Sequence, residues 1–151
     1  MKKIAIILPG DKLPLPSVKG GAVESLVQCL LDYNEKYHTY NFSVFSVYNE
    51  EAALKSRSYK HTDFKYINTD SLNYKLKRVF RWIYNRFFPY IGNQFINSVM
   101  NGMDTDYDYV LIENAPWFVI PLKRKMNMSM VQHLHLSLIH ISEPTRPLYI
   151  S

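Results

Sequence analysis

Lys3-Ile4-Ala5-Ile6-Ile7-Leu8, the stretch from Ala22 to Tyr37, and Phe42-Ser43-Val44-Phe45-Ser46-Val47 decide the fold. The first is an apolar run rich in β-branched residues, stopped by Pro9-Gly10, and reads as a buried strand. In the second, Val23, Leu26, Val27, Leu30 and Leu31 recur at i, i+3, i+4, i+7 and i+8, one face of an amphipathic helix. The third reads as another strand. Strand, helix and strand joined by a right-handed crossover make the two strands parallel neighbours.

Outward from this unit the alternation continues. Glu50 to Lys60 is polar and has no clear period. Phe64–Ile67 reads as a third strand. Leu76, Val79, Phe80, Ile83, Tyr84 and Phe87 mark a second amphipathic helix with that set as its core face, stopped by Pro89. A further helix is expected from Ile91 to Met100, ending at Gly102. Tyr109-Val110-Leu111-Ile112 forms a fourth strand, Pro116 begins a short helix over Phe118–Lys125, and Met128–Leu134 is a fifth strand. The expected fold is α/β, a mostly parallel, doubly wound, Rossmann-like sheet.

The 151 residues support one domain of ordinary size, and 47% hydrophobic composition supplies a core. Cys29 is the single cysteine, which fits a reducing cytoplasmic setting. The apolar run after Met1-Lys2-Lys3 is too short for a signal core, and no stretch approaches a membrane span. The net charge of +5 has one source. Between Ser71 and Tyr90 stand Lys75, Lys77, Arg78, Arg81 and Arg86 with no acid, and elsewhere cations and acids balance.

Ligands of open parallel sheets bind beyond the carboxyl ends of the strands. The loop Pro9 to Gly21 lies there, with three prolines and three glycines. It is too long for a tight dinucleotide-binding turn, and Gly20-Gly21 abuts the helix start. Paired glycines admit a ligand or another backbone, and the helix N-terminus behind them suits a phosphate or hydroxyl. Glu24 serves either the helix dipole or a ligand. Glu113-Asn114 ends the fourth strand; either the carboxylate meets a hydroxyl-rich ligand or Asn114 caps the next helix. His133 and His135 share one strand face. They lack an acid or cysteine to complete a recognisable metal set, so no metal is expected. A sugar or phosphate contact is the functional reading of a strand-end histidine, and a core position the other reading for His133.

Leu136–Arg146 resembles the translation of a sequencing-library transposase adapter. On that resemblance residues 1–135 are the domain and 136–151 a non-native tail; a natural C-terminal strand is the alternative.

The opening strand, the long loop, Gly20-Gly21-x-x-Glu24 and the helix after it resemble the start of glycosyltransferase family 4 (GT4), whose members have the GT-B fold. Tyr107 to Pro116 resembles a segment of polysaccharide-building members, and Val131-Gln132-His133-Leu134-His135 a cleft-lining strand. The resemblance implies that residues 1–135 are the acceptor-side domain of a retaining enzyme. A second domain holds the nucleotide-sugar, a co-substrate rather than a cofactor; the acceptor is a glycan or a lipid-linked molecule, and no metal is required. It further implies that Gly20, Gly21 and Glu24 line the cleft floor and that His135 stands beside the transferred sugar, with Glu113 and Asn114 as further substrate-binding candidates. Two departures stand out: Leu136 replaces the usual Asn, and the donor domain is missing, so this chain alone should be inactive. The alternatives are a non-catalytic Rossmann-like binding module and a membrane-surface interaction protein.

The second helix carries Trp82 among Lys75, Lys77, Arg78, Arg81 and Arg86. A solvated charged face rarely holds tryptophan. An interfacial helix does, because each cation attracts anionic lipid by about 1 kcal/mol and tryptophan seats at the headgroups. The expected setting is cytoplasmic, peripheral on the inner membrane face. Nucleic acid is not expected, since one basic helix is a small patch and no nucleic-acid-binding motif accompanies it.

Overall fold

The computed structural model describes residues 1–10, 13–88, 92–125 and 129–134. Five strands, β1 (Lys2–Ile7), β2 (Tyr40–Val47), β3 (Thr62–Ile67), β4 (Tyr109–Glu113) and β5 (Ser129–His133), form one sheet in the order β3-β2-β1-β4-β5. Every neighbouring pair is parallel. The helices are α1 (Ala22–Tyr37), α2 (Glu50–Ser56), α3 (Leu72–Phe87), α4 (Gln94–Gly102) and α5 (Val119–Lys125), with a 3-10 turn at Pro116–Phe118. The chain is α/β and Rossmann-like. It winds outward from β1 to β3, crosses back, and winds the other way through β4 to β5.

The two winding directions place helices on opposite faces, so β1 is buried on both. Ile6 and Leu8 meet Val27 and Leu31 of α1 on one side. Ala5 and Ile7 meet Phe95, Ile96, Val99 and Leu122 of α4 and α5 on the other. This period-two division explains why β1 reads as an unbroken apolar run rather than an alternation.

The buried stripe of α1 is narrower than its apolar pattern, because Leu26 and Leu30 are exposed while Asn34 is buried. Asn34 closes the turn into β2. Its Nδ2 donates to the Tyr40 carbonyl at 2.9 Å, and its Oδ1 accepts from the Thr39 and Tyr40 amides. Glu35, one residue on, accepts from the Lys60 and His61 amides and the Thr62 hydroxyl, tying α1 to the start of β3. Burial alone would raise its carboxyl pKa, but these hydrogen bonds favour the anion and hold it below the usual range.

The polar stretch after β2 is helical. Asn49 caps α2 by accepting from the Ala52 amide, and Glu51 pairs with Lys55 at 3.0 Å. Only Ala52 of α2 is buried, too little for an apolar period to show.

Helix α3 corrects one expectation. Leu76, Val79, Phe80, Ile83, Tyr84 and Phe87 are all exposed, Phe80 at 71% and Phe87 at 76%, and no residue of α3 is buried. Its inward contacts are polar: Asn85 Nδ2 donates to the Gly92 carbonyl at 3.0 Å and Arg81 Nε to Gln94 Oε1 at 3.4 Å. Two helices lie between β3 and β4, and the sheet has room for one. Helix α4 takes it by burying Phe95, Ile96, Val99 and Met100, which leaves α3 outside with its apolar stripe turned outward.

Truncation separates the two kinds of aromatic. Phe118→Ala, at a fully buried ring packed near Phe95, should cost about 3–5 kcal/mol. Phe80→Ala should change stability by less than about 0.5 kcal/mol. Urea unfolding monitored by circular dichroism reads both, and a comparable loss for Phe80→Ala would place α3 in the core after all.

Candidate functional site

The winding direction reverses between β1 and β4, and their carboxyl ends mark the topological switch point, the usual ligand position of open α/β sheets. The loop after β1 is pinned to the body beside it. Gly10, at φ +80°, lies so close to the Phe95 ring that a Cβ would collide with it. The Leu15 amide donates to the buried Ser46 hydroxyl at 2.9 Å, and its carbonyl accepts from the Tyr66 hydroxyl at 3.0 Å. The Ser17 amide donates to Gln28 Oε1 at 2.8 Å. The described part of this proline-containing loop is thereby tied to the body at Gly10, Leu15 and Ser17.

The paired glycines differ in role. Gly20, at φ +75°, has open space where its Cβ would stand. Gly21, at φ +151°, is the residue before α1, and a Cβ there would strike the Glu24 carboxylate. Thus what approaches Gly21 is the chain's own Glu24, folded back over the helix N-terminus and only 5% exposed. A carboxylate so placed complements the unpaired N–H groups and partial positive charge of the first turn. Of the two sequence-level roles for Glu24, dipole service is the one with visible geometry.

At the neighbouring strand end Glu113 is 1% exposed and lies in register with His133. Glu113 Oε2 stands 3.2 Å from His133 Nδ1. The His133 side chain is half-exposed, so it is not a core histidine. A buried carboxylate of this kind fixes the orientation and tautomer of the imidazole it holds. Asn114 is exposed in the left-handed conformation at φ 47°, its amide donating to the His133 carbonyl at 2.8 Å. It does not cap the following helical turn: Ala115 occupies that position without a side-chain cap, so the capping expectation is corrected. Gly20, Gly21, Glu113 and Asn114 therefore share the carboxyl edge of the sheet. His135 lies outside the described residues, as does the tail 136–151.

The Glu113–His133 pair was not apparent in the sequence, because twenty residues separate the partners and only the β4–β5 register joins them. Its one advance signal was a carboxylate and a histidine ending consecutive strands. Among the described residues no cluster of His, Cys, Asp or Glu could hold a metal ion.

The cations of α3 do not form one face. Lys77 and Arg81, with Phe80 and Tyr84 of the apolar face, line a crevice against α4 with Gln94 and Asn97. Lys75 and Arg78 line a cavity at the carboxyl edge. Arg86 and Trp82 are exposed. Compared with known proteins, the chain matches no family model, no curated protein and no solved structure.

The Gly21–Glu24 contact sets a stability cycle. Gly21→Ala should destabilise by about 1–3 kcal/mol through its backbone conformation and the collision with Glu24. In a Glu24→Ala background that loss should shrink, because the collision with the carboxylate is gone and only the backbone part and a 3.0 Å approach to Leu13 remain. Equal losses in both backgrounds, measured by denaturant unfolding, would mean that Glu24 does not occupy the space above Gly21.

Proposed function

We propose that residues 1–135 are the acceptor-side domain of a retaining, GT-B-type glycosyltransferase that builds cell-surface polysaccharide or a related glycan. The observation that carries this reading is the carboxyl edge itself. The pinned loop with Gly20-Gly21 after β1, and Glu113-Asn114 with His133 after β4 and β5, flank the point where the strand order reverses. An exposed amide side chain, a carboxylate-held imidazole and an open glycine backbone are groups suited to saccharide hydroxyls. In this reading a second α/β domain supplies the nucleotide-sugar, transfer occurs between the domains, and His135 stands beside the transferred sugar. The chain alone then binds acceptor without transferring sugar.

Amide NMR of the labelled chain tests this. Adding a saccharide acceptor series, including lipid-linked sugars, should shift the Gly20, Gly21 and Asn114 resonances, while nucleotide-sugars alone should leave them in place. No response to any saccharide would sink the proposal. Tight nucleotide binding at the same residues would instead favour the non-catalytic nucleotide-binding module.

A membrane-surface role is favoured by one further observation. The outward stripe of α3 (Leu72, Leu76, Val79, Phe80, Ile83, Phe87) is bordered by Trp82, Lys75 and Arg86, with no acid in the helix. Monomeric surfaces seldom expose so continuous an apolar strip, and a cationic border suits anionic lipid. This shifts the expected contact from the six residues Lys75, Lys77, Arg78, Arg81, Trp82 and Arg86 to the apolar stripe and its border. Among the described residues no helix is long and apolar enough to cross a membrane. Co-sedimentation with vesicles should rise with phosphatidylglycerol content, fall with salt, and be lost in Phe80→Ser/Phe87→Ser. Equal binding to purely zwitterionic vesicles would remove the idea.

A further inference from the structure

From Ser71 to Met103 the chain carries Lys75, Lys77, Arg78, Arg81 and Arg86 and no acid. That stretch holds α3, α4 and the residues between them. The two helices meet where Arg81 Nε donates to Gln94 Oε1 and Asn85 Nδ2 to the Gly92 carbonyl. Beside those contacts they leave a crevice of about 390 Å³. Phe80 and Tyr84, one turn apart on α3, supply its apolar wall. Lys77 and Arg81 stand next to them, and Gln94 and Asn97 of α4 line the other side. From Lys77 to Tyr84 the crevice follows α3 for two turns, about 10 Å.

Its parts differ in how firmly they are held. Phe80 is 71% exposed and Tyr84 43%, so the rings stand open. Gln94 is 5% exposed, and its Nε2 donates to Ser98 Oγ at 3.3 Å while its Oε1 accepts from Arg81, which makes it a fixed polar floor. Lys77 and Gln94 also line a second cavity, of about 320 Å³, with Asn68 and Asn73 near the carboxyl end of β3. The groove thus passes from rings and cations to neutral polar side chains.

That sequence of groups narrows the occupant. A hydrocarbon chain laid along the groove would leave amides and cations without partners. A nucleic-acid backbone calls for a longer row of cations than Lys77 and Arg81. A polypeptide carries apolar side chains, carboxylates and neutral polar groups together. Rings at i and i+4 over two turns match the side-chain spacing of a helix laid in a groove. Lys77 and Arg81 also lie outside the border of the outward stripe, which runs through Trp82, Lys75 and Arg86.

We propose that this groove docks a short acidic amphipathic helix of a partner protein. Apolar side chains one turn apart on that helix pack against Phe80 and Tyr84, and its carboxylates meet Lys77 and Arg81. Arg81 is half-buried and steadied by Gln94, so its terminal nitrogens can take two oxygens of one carboxylate, while Lys77 acts as a point charge. Charge complementarity selects the partner: a surface with no acid from Ser71 to Met103 attracts an acidic helix and repels a basic one. The proposal is independent of the glycosyltransferase reading.

Fluorescence anisotropy with labelled peptides tests it. The probe is a peptide of about 14 residues with leucine and glutamate on opposite helix faces. One control replaces glutamate by lysine, and another shuffles the residues so that no apolar face forms. The acidic amphipathic peptide should bind and gain helix by circular dichroism. The shuffled peptide should bind at least about tenfold more weakly, and the lysine peptide should not bind. Lys77→Glu, Arg81→Glu and Tyr84→Ala should each weaken binding by about tenfold, the scale of one charge-assisted or anchoring contact. Arg86→Glu makes the same charge change outside the groove and should cost less than about threefold. Lys77 and Tyr84 are exposed, so those variants keep the fold even where Arg81→Glu loosens the contact with Gln94. Absence of binding by the acidic amphipathic peptide would overturn the proposal. Equal losses in Arg86→Glu and Lys77→Glu, or equal binding of the shuffled peptide, would reduce the effect to general charge attraction and overturn it too. So would vesicle binding that is lost in Lys77→Glu and Tyr84→Ala while peptide binding stays intact, since the groove would then belong to the membrane contact. Tighter binding of a single-stranded oligonucleotide with the same residue dependence would make the groove a nucleic-acid site instead.

Discussion

Strand β1 must be buried on both faces, and the rest of the molecule follows from that requirement. Ala5, Ile6 and Ile7 are wholly inaccessible, hydrogen-bonded on one side to β2 and on the other to β4. A strand flanked by parallel partners on both edges needs crossover helices on both faces. The chain therefore winds away from β1 in one direction, returns, and winds in the other. The reversal falls between β1 and β4, so the demand that makes the core also sets the switch point beside which the candidate site lies.

Around that switch point, structural and chemical roles are divided among neighbouring residues. Gly10 is consumed by packing against Phe95, and Gly21 by the returning Glu24 carboxylate. Gly20 and Asn114 remain at the surface in left-handed or related conformations that a Cβ residue adopts reluctantly. Glu113 is buried, yet it reaches the surface through His133, whose ring it orients. Strained, polar backbone at the rim of a rigid sheet is where binding chemistry concentrates, because the scaffold offsets its cost.

Helix α3 shows how a surface is made by competition. It carries an apolar stripe of its own, but α4 lies against the sheet and buries Phe95, Ile96, Val99 and Met100 there. Excluded from the core, α3 rests on polar contacts through Asn85 and Arg81 and carries its hydrocarbon outward. Its first turns still close the strand-end cavity, so one helix borders both that cavity and an apolar exterior.

The sequence by itself determined the α/β class, the parallel sheet and the order of the elements other than α2, whose polar stretch carries no apolar period. Apolar runs of β-branched residues at β1 and β2, and the period of α1 between them, are local signals that survive without tertiary context. It also located the carboxyl-edge residues Gly20, Gly21, Glu113 and Asn114, because each adjoins the end of a strand. Only the tertiary structure decided which apolar faces are buried. Periodicity records that a face exists but not what covers it, so Leu26, Leu30 and the stripe of α3 read as core yet stand exposed. The pairing of Glu113 with His133 and the meeting of Arg81 with Gln94 were likewise beyond sequence reasoning. Contacts across strands and between helices depend on register and crossover geometry, which arise only when the whole sheet closes around β1.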